Sequence, residues 1–159
     1  MHIFDEKFLK NKKQYLIQSL IAAIIFIFMM TLLDIFLNAT VIVSLAATTF
    51  VIFTIPLKEG SKPRYIIGGH SIAILVGSCF YFMSSYFTEI NLSIFAGLAV
   101  GFTIFLMVIF NFEHPPATAF ALGLVLGGVT LYKIAIVVIG LSTILLLKRA
   151  LKKHLIDLL

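Results

Sequence analysis

The sequence has no tryptophan, a single cysteine and few charged residues, which are 12% of its 159 positions. Cys79, being alone, can form neither an intramolecular disulfide nor a cysteine-based metal site. Because tryptophan is absent and the charges stand near the ends of apolar runs, the chain shows no footprint of nucleic-acid recognition. A soluble domain of this size would also need more polar residues to cover its outside.

The usual patterns of catalytic sites are missing as well. The sequence contains no Ser, His and acid spacing typical of hydrolases, no phosphate loop, no dinucleotide fingerprint and no helical pair of metal-binding histidines. We therefore expect no enzyme, no cofactor and no metal. An intramembrane enzyme is the weakest alternative, and activity that a chelator abolishes would support it.

Apolar residues, in contrast, make up 61% of the sequence, against roughly half in soluble domains. They form six runs, several of which approach the roughly 20 residues that cross a bilayer core. The sequence thus predicts an all-α membrane protein with about six transmembrane or half-membrane helices. Since the last two runs are short, four crossings with re-entrant or interfacial segments are the alternative. The runs are Tyr15–Leu37, Ala39–Leu57, Tyr65–Phe87, Leu92–Phe112, Ala117–Leu131 and Ile134–Leu147.

The net charge of +5 comes from three basic clusters beside these runs. Positive residues favour the cytoplasmic side, and six crossings place all three clusters there. We predict a basic cytoplasmic N-terminus over residues 1–14, a transmembrane domain over 15–149 and a short basic cytoplasmic C-terminus over 150–159. The expected location is the bacterial inner membrane, and the many glycines suit a homo-oligomer. The clusters are Lys7, Lys10, Lys12 and Lys13; Lys58, Lys62 and Arg64; and Lys148, Arg149, Lys152 and Lys153.

A short pattern recurs in the two halves of the chain. Ala47-Thr48-Thr49-Phe50 in the second run is similar to Ala117-Thr118-Ala119-Phe120 in the fifth. With three helices per half, the halves would enter the membrane from opposite sides, which predicts a 3+3 inverted repeat. If the second run breaks near these threonines, two helix starts would face one solute. Chance similarity between helices rich in small apolar residues is an equal alternative.

The most distinctive pattern lies between the fourth and fifth runs. Pro115 and Pro116 interrupt one helix and can start the next, because proline fixes φ and has no amide hydrogen. The first free amides would be those of Ala117, Thr118 and Ala119, where the positive end of the helix dipole attracts anions. His114 precedes this helix start and can donate from its imidazole. The alternative is a solvated turn between helices.

A second ionisable residue, His70, follows the glycine pair Gly68-Gly69 about two helical turns beyond Arg64. A charged imidazole is unfavourable at that depth, so we expect a neutral His70 that is hydrogen-bonded or faces a polar cavity. The alternative is a structural histidine that ties two helices together. The candidate substrate-binding residues are His114, Pro115, Pro116, Ala117, Thr118, His70, Ser71, Thr48 and Thr49.

These motifs resemble those of the HPP family of integral membrane proteins. His114-Pro115-Pro116 matches the tripeptide that gives the family its name. Pro63-Arg64 followed by Gly68-Gly69-His70 is similar to the family's second block, and Ala46-Ala47-Thr48-Thr49 stands where the family has a Gly-Ala-Ser block. Some plant and cyanobacterial members move nitrite. The resemblance therefore implies transport of nitrite or a similar monovalent anion.

The sequence thus favours a small-anion transporter that binds its substrate at the helix start after His-Pro-Pro. Because the ordinary pKa of histidine lies near neutrality, a histidine could couple proton movement to the anion. The alternative, from a different class, is a non-transporting structural or regulatory membrane protein. In that case His70 and His114 only hold helices together.

Overall fold

The computed structural model describes residues 6–33 and 39–159, without the side chains of residues 6, 7, 9, 29, 30, 32, 33, 39 and 40. Within these ranges the chain is helical and contains no strand, which confirms the predicted all-α fold. Six α-helices follow one another through short connections. They are α1 (Glu6–Leu33), α2 (Ala39–Thr54), α3 (Pro63–Tyr86), α4 (Leu92–Ile109), α5 (Pro116–Gly127) and α6 (Leu131–Leu151).

Local signals in the sequence set most helix starts. Pro63 and Pro116 stand at the first positions of α3 and α5, where a missing amide hydrogen costs nothing. Asn91 caps α4 by accepting a hydrogen bond from the amide of Ser93. Thr130 caps α6 in the same way, which moves its start ahead of the predicted Ile134.

Three helical segments in the described part of the chain are long and apolar enough to cross a bilayer: Pro63–Tyr86, Leu92–Ile109 and Leu131–His154. The prediction that the sixth segment is short is therefore wrong, because the helix continues through Lys148 and Arg149 in its last turn. With 12 residues, α5 extends about 18 Å and is a half-membrane helix. The predicted end of the first run, at Leu37, lies outside the described residues.

In the centre of the bundle α5 packs against α2, α3 and α4. Phe53, Phe120 and Leu124 are completely buried there. Helix α2 runs without interruption from Ala39 to Thr54, so the break near its threonines, on which a second helix start facing the solute would depend, does not occur. Large apolar side chains cover the outside, as a lipid-facing surface requires.

The three basic clusters meet at one end of the bundle, which we call the basic end. There Lys148 Nζ donates to the carbonyl of Ser61, at 2.6 Å, and thereby joins α6 to the α2–α3 connection. Gln18, which is buried in α1, donates to the carbonyls of Phe53 and Ile156. These contacts bring the first half of α1, the end of α2 and the end of α6 to the same side, in agreement with an even number of crossings.

Candidate functional site

Two histidines from distant parts of the chain meet in the core. His70 lies in the second turn of α3, and His114 lies in the connection before α5. Both side chains are buried, and their ring centroids are 5.3 Å apart. Ser44 and Thr48, one turn apart on α2, complete the group. We refer to Ser44, Thr48, His70 and His114 as the histidine–hydroxyl cluster.

Each ring nitrogen of His114 has a protein partner. Nδ1 lies 2.9 Å from the carbonyl oxygen of Gly60, and Nε2 lies 3.0 Å from Oγ1 of Thr48. A carbonyl oxygen can only accept, so Nδ1 carries the hydrogen. In the neutral imidazole, Nε2 is then an acceptor, and the Thr48 hydroxyl donates to it.

His70 repeats this arrangement with different partners. Its Nδ1 donates to the carbonyl oxygen of Ile66 at 2.9 Å, and its Nε2 lies 3.0 Å from Oγ of Ser44. The expectation of a hydrogen-bonded His70 is confirmed. The same Ser44 oxygen is 3.1 Å from the carbonyl oxygen of Pro116.

The single hydroxyl hydrogen of Ser44 cannot serve both acceptors at once. If His70 is neutral, Ser44 donates to Nε2, and Pro116 receives no hydrogen from it. If His70 is protonated, Nε2 donates to Ser44, and Ser44 donates to the carbonyl of Pro116. The same positions of the heavy atoms thus fit two proton arrangements, which differ by one proton on the imidazole.

The glycine pair ahead of His70 permits the close approach of the two histidine segments. A Cβ atom on Gly69 would lie 3.0 Å from Cβ of His114, and one on Gly68 would lie 2.4 Å from the ring of Phe112. On the other side, the Arg64 guanidinium carbon lies 5.4 Å from the centroid of that ring, a cation–π contact. Side chains at the glycine positions would therefore push the His-Pro-Pro connection away from α3.

Burial also sets the charge state of His114, which lies in a connection outside the spanning helices. Desolvation lowers the pKa of His114 to about 4, although the hydrogen bond to the carbonyl of Gly60 opposes that shift. At neutral pH the imidazole is therefore uncharged, which agrees with its acceptor role toward Thr48. A nearby negative charge would raise this pKa again, since it favours the protonated form.

The prediction of free backbone amides at the start of α5 is wrong. The amide of Ala117 donates to the carbonyl of His114 at 2.9 Å, and that of Thr118 donates to the carbonyl of Pro115 at 3.0 Å. The reason is that Pro115 already has helical dihedral angles, φ −50° and ψ −36°, so the carbonyls just before the helix point at these amides. The Thr118 hydroxyl also donates to the carbonyl of Pro115. Donors to a ligand must come from side chains.

Two of the predicted site residues lie away from the cluster. Ser71 is on the exposed side of α3, and the hydroxyl of Thr49 donates to the carbonyl of Leu45 in its own helix. Sequence reasoning in turn left out Ser44 and the carbonyl of Gly60. Ser44 stands four residues before Thr48, and this spacing on one helix face was a usable signal. In the described part of the chain, every buried polar side-chain atom has a hydrogen-bond partner.

Comparison with known proteins adds three findings. The family model described as "HPP, transmembrane region" matches residues 9–156. A transmembrane protein of Dictyostelium discoideum is 37% identical to this chain over 84 residues. That match includes 53% of this chain but only 29% of the relative, so the chain spans less than a third of that protein's length. No solved structure matches the chain.

Proposed function

Because this chain belongs to the HPP family of transmembrane proteins, we propose that it moves a small monovalent anion, nitrite or a similar one, across the membrane together with a proton. The observation that supports this proposal is the histidine–hydroxyl cluster. Two buried imidazoles each hold one hydroxyl through Nε2, beside the His-Pro-Pro connection. Few other polar groups are buried in the apolar interior.

The cluster can supply donors to an anion once a histidine is protonated. In the neutral state the hydroxyls of Ser44 and Thr48 are engaged as donors to the imidazoles. A protonated imidazole donates from Nε2 instead, which frees the hydroxyl hydrogen for a new acceptor. Each protonated imidazole frees one hydroxyl hydrogen, so an anion that arrives with one proton accepts from one of the two hydroxyls, and accepting from both requires both histidines to be protonated.

Charge is the physical reason for the coupling. A bare anion in an apolar interior loses its hydration without compensation, and so does an imidazolium ion. Bound together, the imidazolium and the anion are separated by one hydroxyl group, and their attraction lowers the cost of burying either charge. The lowered pKa of His114 also supports coupling, because it leaves the imidazole neutral until an anion arrives.

We also propose that the basic end faces the cytoplasm of a bacterial cell and that the protein lies in the inner membrane. The basis is the accumulation of Lys and Arg at one end of the bundle, which favours the cytoplasmic side. Cysteine labelling from either side of the membrane, at Lys58 and at Thr88 on the opposite end, tests this orientation. Labelling of Lys58→Cys from outside intact cells would show the opposite orientation.

Two neighbouring threonines provide a matched test of transport. Thr48→Val removes the hydroxyl bonded to His114, whereas Thr49→Val removes a hydroxyl that serves only the backbone of α2. Both side chains are buried, and valine keeps the shape of threonine. In proteoliposomes, we expect nitrite uptake above that of empty liposomes for the wild type and Thr49→Val, and a large loss for Thr48→Val. Equal uptake by the two variants would contradict the proposal.

The saturated hydrogen bonds of the cluster also suit the second candidate, a structural protein without transport activity. In that case purified wild-type protein takes up no more nitrite than empty liposomes. Thr48→Val would then change thermal stability alone. The uptake of the wild type therefore separates the two functions before any variant is compared.

A further inference from the structure

A large cavity opens at the basic end, away from the histidine–hydroxyl cluster. Its volume is about 850 Å³, and it lies between the α2–α3 connection and the last turns of α6. One wall consists of Pro56, Leu57 and Pro63, and the tail residue Leu155 contributes from behind. The cavity is therefore mostly apolar, although it lies where four cationic side chains converge.

The other wall is one face of α6. Ser142, Leu145, Arg149 and Lys152 follow one another at spacings of three and four residues, and Leu146 stands four residues after Ser142, so they share a helix face. Along this face the character changes from apolar to cationic toward the basic end. Leu146 is 66% exposed, which leaves a large apolar side chain uncovered beside the cavity.

The cations at the mouth carry charge that nearby acids do not balance. Lys62 pairs with Glu59 at 3.2 Å, and Lys148 donates to both oxygens of Ser61. No ion pair of Arg149 or Lys152 occurs within residues 6–33 and 39–159. Asp157 attracts Lys148 and also accepts from the amide of Leu57, but it does not line the cavity, and neither does any other acidic residue of the described chain.

The length of α6 places this mouth at the level of lipid headgroups. About 20 helical residues cross a hydrocarbon core, and counting from Leu131 they end close to Arg149. The leucines of the cavity then lie beside acyl chains, and the cations lie beside phosphates. Basic pockets between transmembrane helices are a known arrangement for anionic headgroups.

We propose that this cavity binds one anionic phospholipid. The phosphate lies at Lys62, Arg149 and Lys152, and the acyl chains run along the apolar wall of Leu145 and Leu146. Lys148, held by Ser61, adds a fixed positive charge behind the headgroup. The bound lipid covers the exposed apolar side of α6 and joins it to the α2–α3 connection. This binding depends on membrane insertion and not on the transport of an anion.

Native mass spectrometry of the detergent-solubilised protein tests the proposal. The probes are phosphatidylglycerol and phosphatidylcholine with the same acyl chains. We expect the wild type to retain one phosphatidylglycerol in preference to phosphatidylcholine. The double variant Arg149→Gln/Lys152→Gln should bind it about thirtyfold more weakly, because each cation near an anionic headgroup contributes about 1 kcal/mol.

The matched control is Lys12→Gln/Lys13→Gln, which removes two exposed cations of the basic end outside the cavity. It should bind like the wild type. An equal loss of phosphatidylglycerol affinity in both double variants would overturn the proposal, because it would indicate diffuse attraction to the basic end. Equal retention of the two lipids by the wild type would overturn it as well. Displacement of the lipid by equimolar inorganic phosphate would identify a site for free anions instead. If Arg149→Gln/Lys152→Gln unfolds, Lys62→Gln provides the same comparison, and unchanged affinity there would contradict the assignment.

Discussion

Replacing Gly69 with alanine tests whether the His-Pro-Pro connection is packed on α3 as described. The new Cβ would lie 3.0 Å from Cβ of His114 and 3.2 Å from both the Met107 sulfur and the carbonyl oxygen of Phe112. His114 cannot move away freely, because both of its ring nitrogens are hydrogen-bonded. Overpacking of this kind costs about 1–3 kcal/mol.

Gly97 on α4 provides the control, because a Cβ there has no neighbour within 4 Å. Both substitutions gain the same helix propensity, roughly 1 kcal/mol, so the difference between the two variants isolates the packing cost. Gly69→Ala should therefore unfold about 2–12 °C below Gly97→Ala in the same detergent. It should also take up less nitrite, since His114 is displaced from Thr48. If Gly69→Ala is as stable as Gly97→Ala, His114 does not pack on α3.

Three further predictions concern stability in detergent. Thr48→Val should lower the free energy of unfolding by about 1–3 kcal/mol, because Nε2 of His114 loses its donor, and Thr49→Val should lower it clearly less. Chemical unfolding measures both losses, and equal losses would contradict the hydrogen bond between Thr48 and His114. The unfolding temperature should fall as the pH is lowered from about 6.5 to about 4, because His114 takes up a proton in the unfolded state at a higher pH than in the native state. His114→Gln should reduce that fall. Gln18→Leu should release the segment around Ile156, since both hydrogen bonds between the Gln18 amide and the backbone of Ile156 are lost. Limited proteolysis should cut this tail faster than in the wild type, and an unchanged rate would argue against the anchor.

The fold was largely predictable because helices that cross a lipid bilayer need long apolar segments, which are easy to recognise in a sequence. Apolar runs of membrane length give the helices, and proline or capping residues give their starts, as at Pro63, Pro116 and Asn91. The end of α6 was not predictable from hydropathy. Lys148 and Arg149 are charged, yet the helix continues through them. Their long side chains can reach out of the hydrocarbon, and positive charges are favourable in the last turn of a helix.

The candidate site was only partly predictable. The two histidines and Thr48 were identified from residue type and depth, and the structure brings them together. Their partners were not, because which carbonyl or hydroxyl meets a ring nitrogen depends on how distant segments pack. The amides of Ala117 and Thr118 were predicted to be free because a helix start near Pro115 or Pro116 leaves its first amides without acceptors in the helix, whereas the carbonyls of His114 and Pro115 accept from them.

The packing partners of the glycine pair were likewise not predictable. Gly68 and Gly69 lie inside α3, which is unbroken at both. Their role is to admit the ring and carbonyl of Phe112 and the Cβ of His114, which belong to a segment more than 40 residues away in the chain. A sequence without its relatives gives no means of identifying that partner.

Simultaneous recording of nitrite and proton entry tests the account most directly. Wild-type proteoliposomes containing a pH-sensitive dye receive external nitrite, beside protein-free liposomes and the Thr48→Val variant. Coupled transport through the histidine–hydroxyl cluster predicts that protein-dependent nitrite entry acidifies the interior and that Thr48→Val loses both signals together. Nitrite entry by the wild type without acidification, or unchanged entry in Thr48→Val, would contradict it.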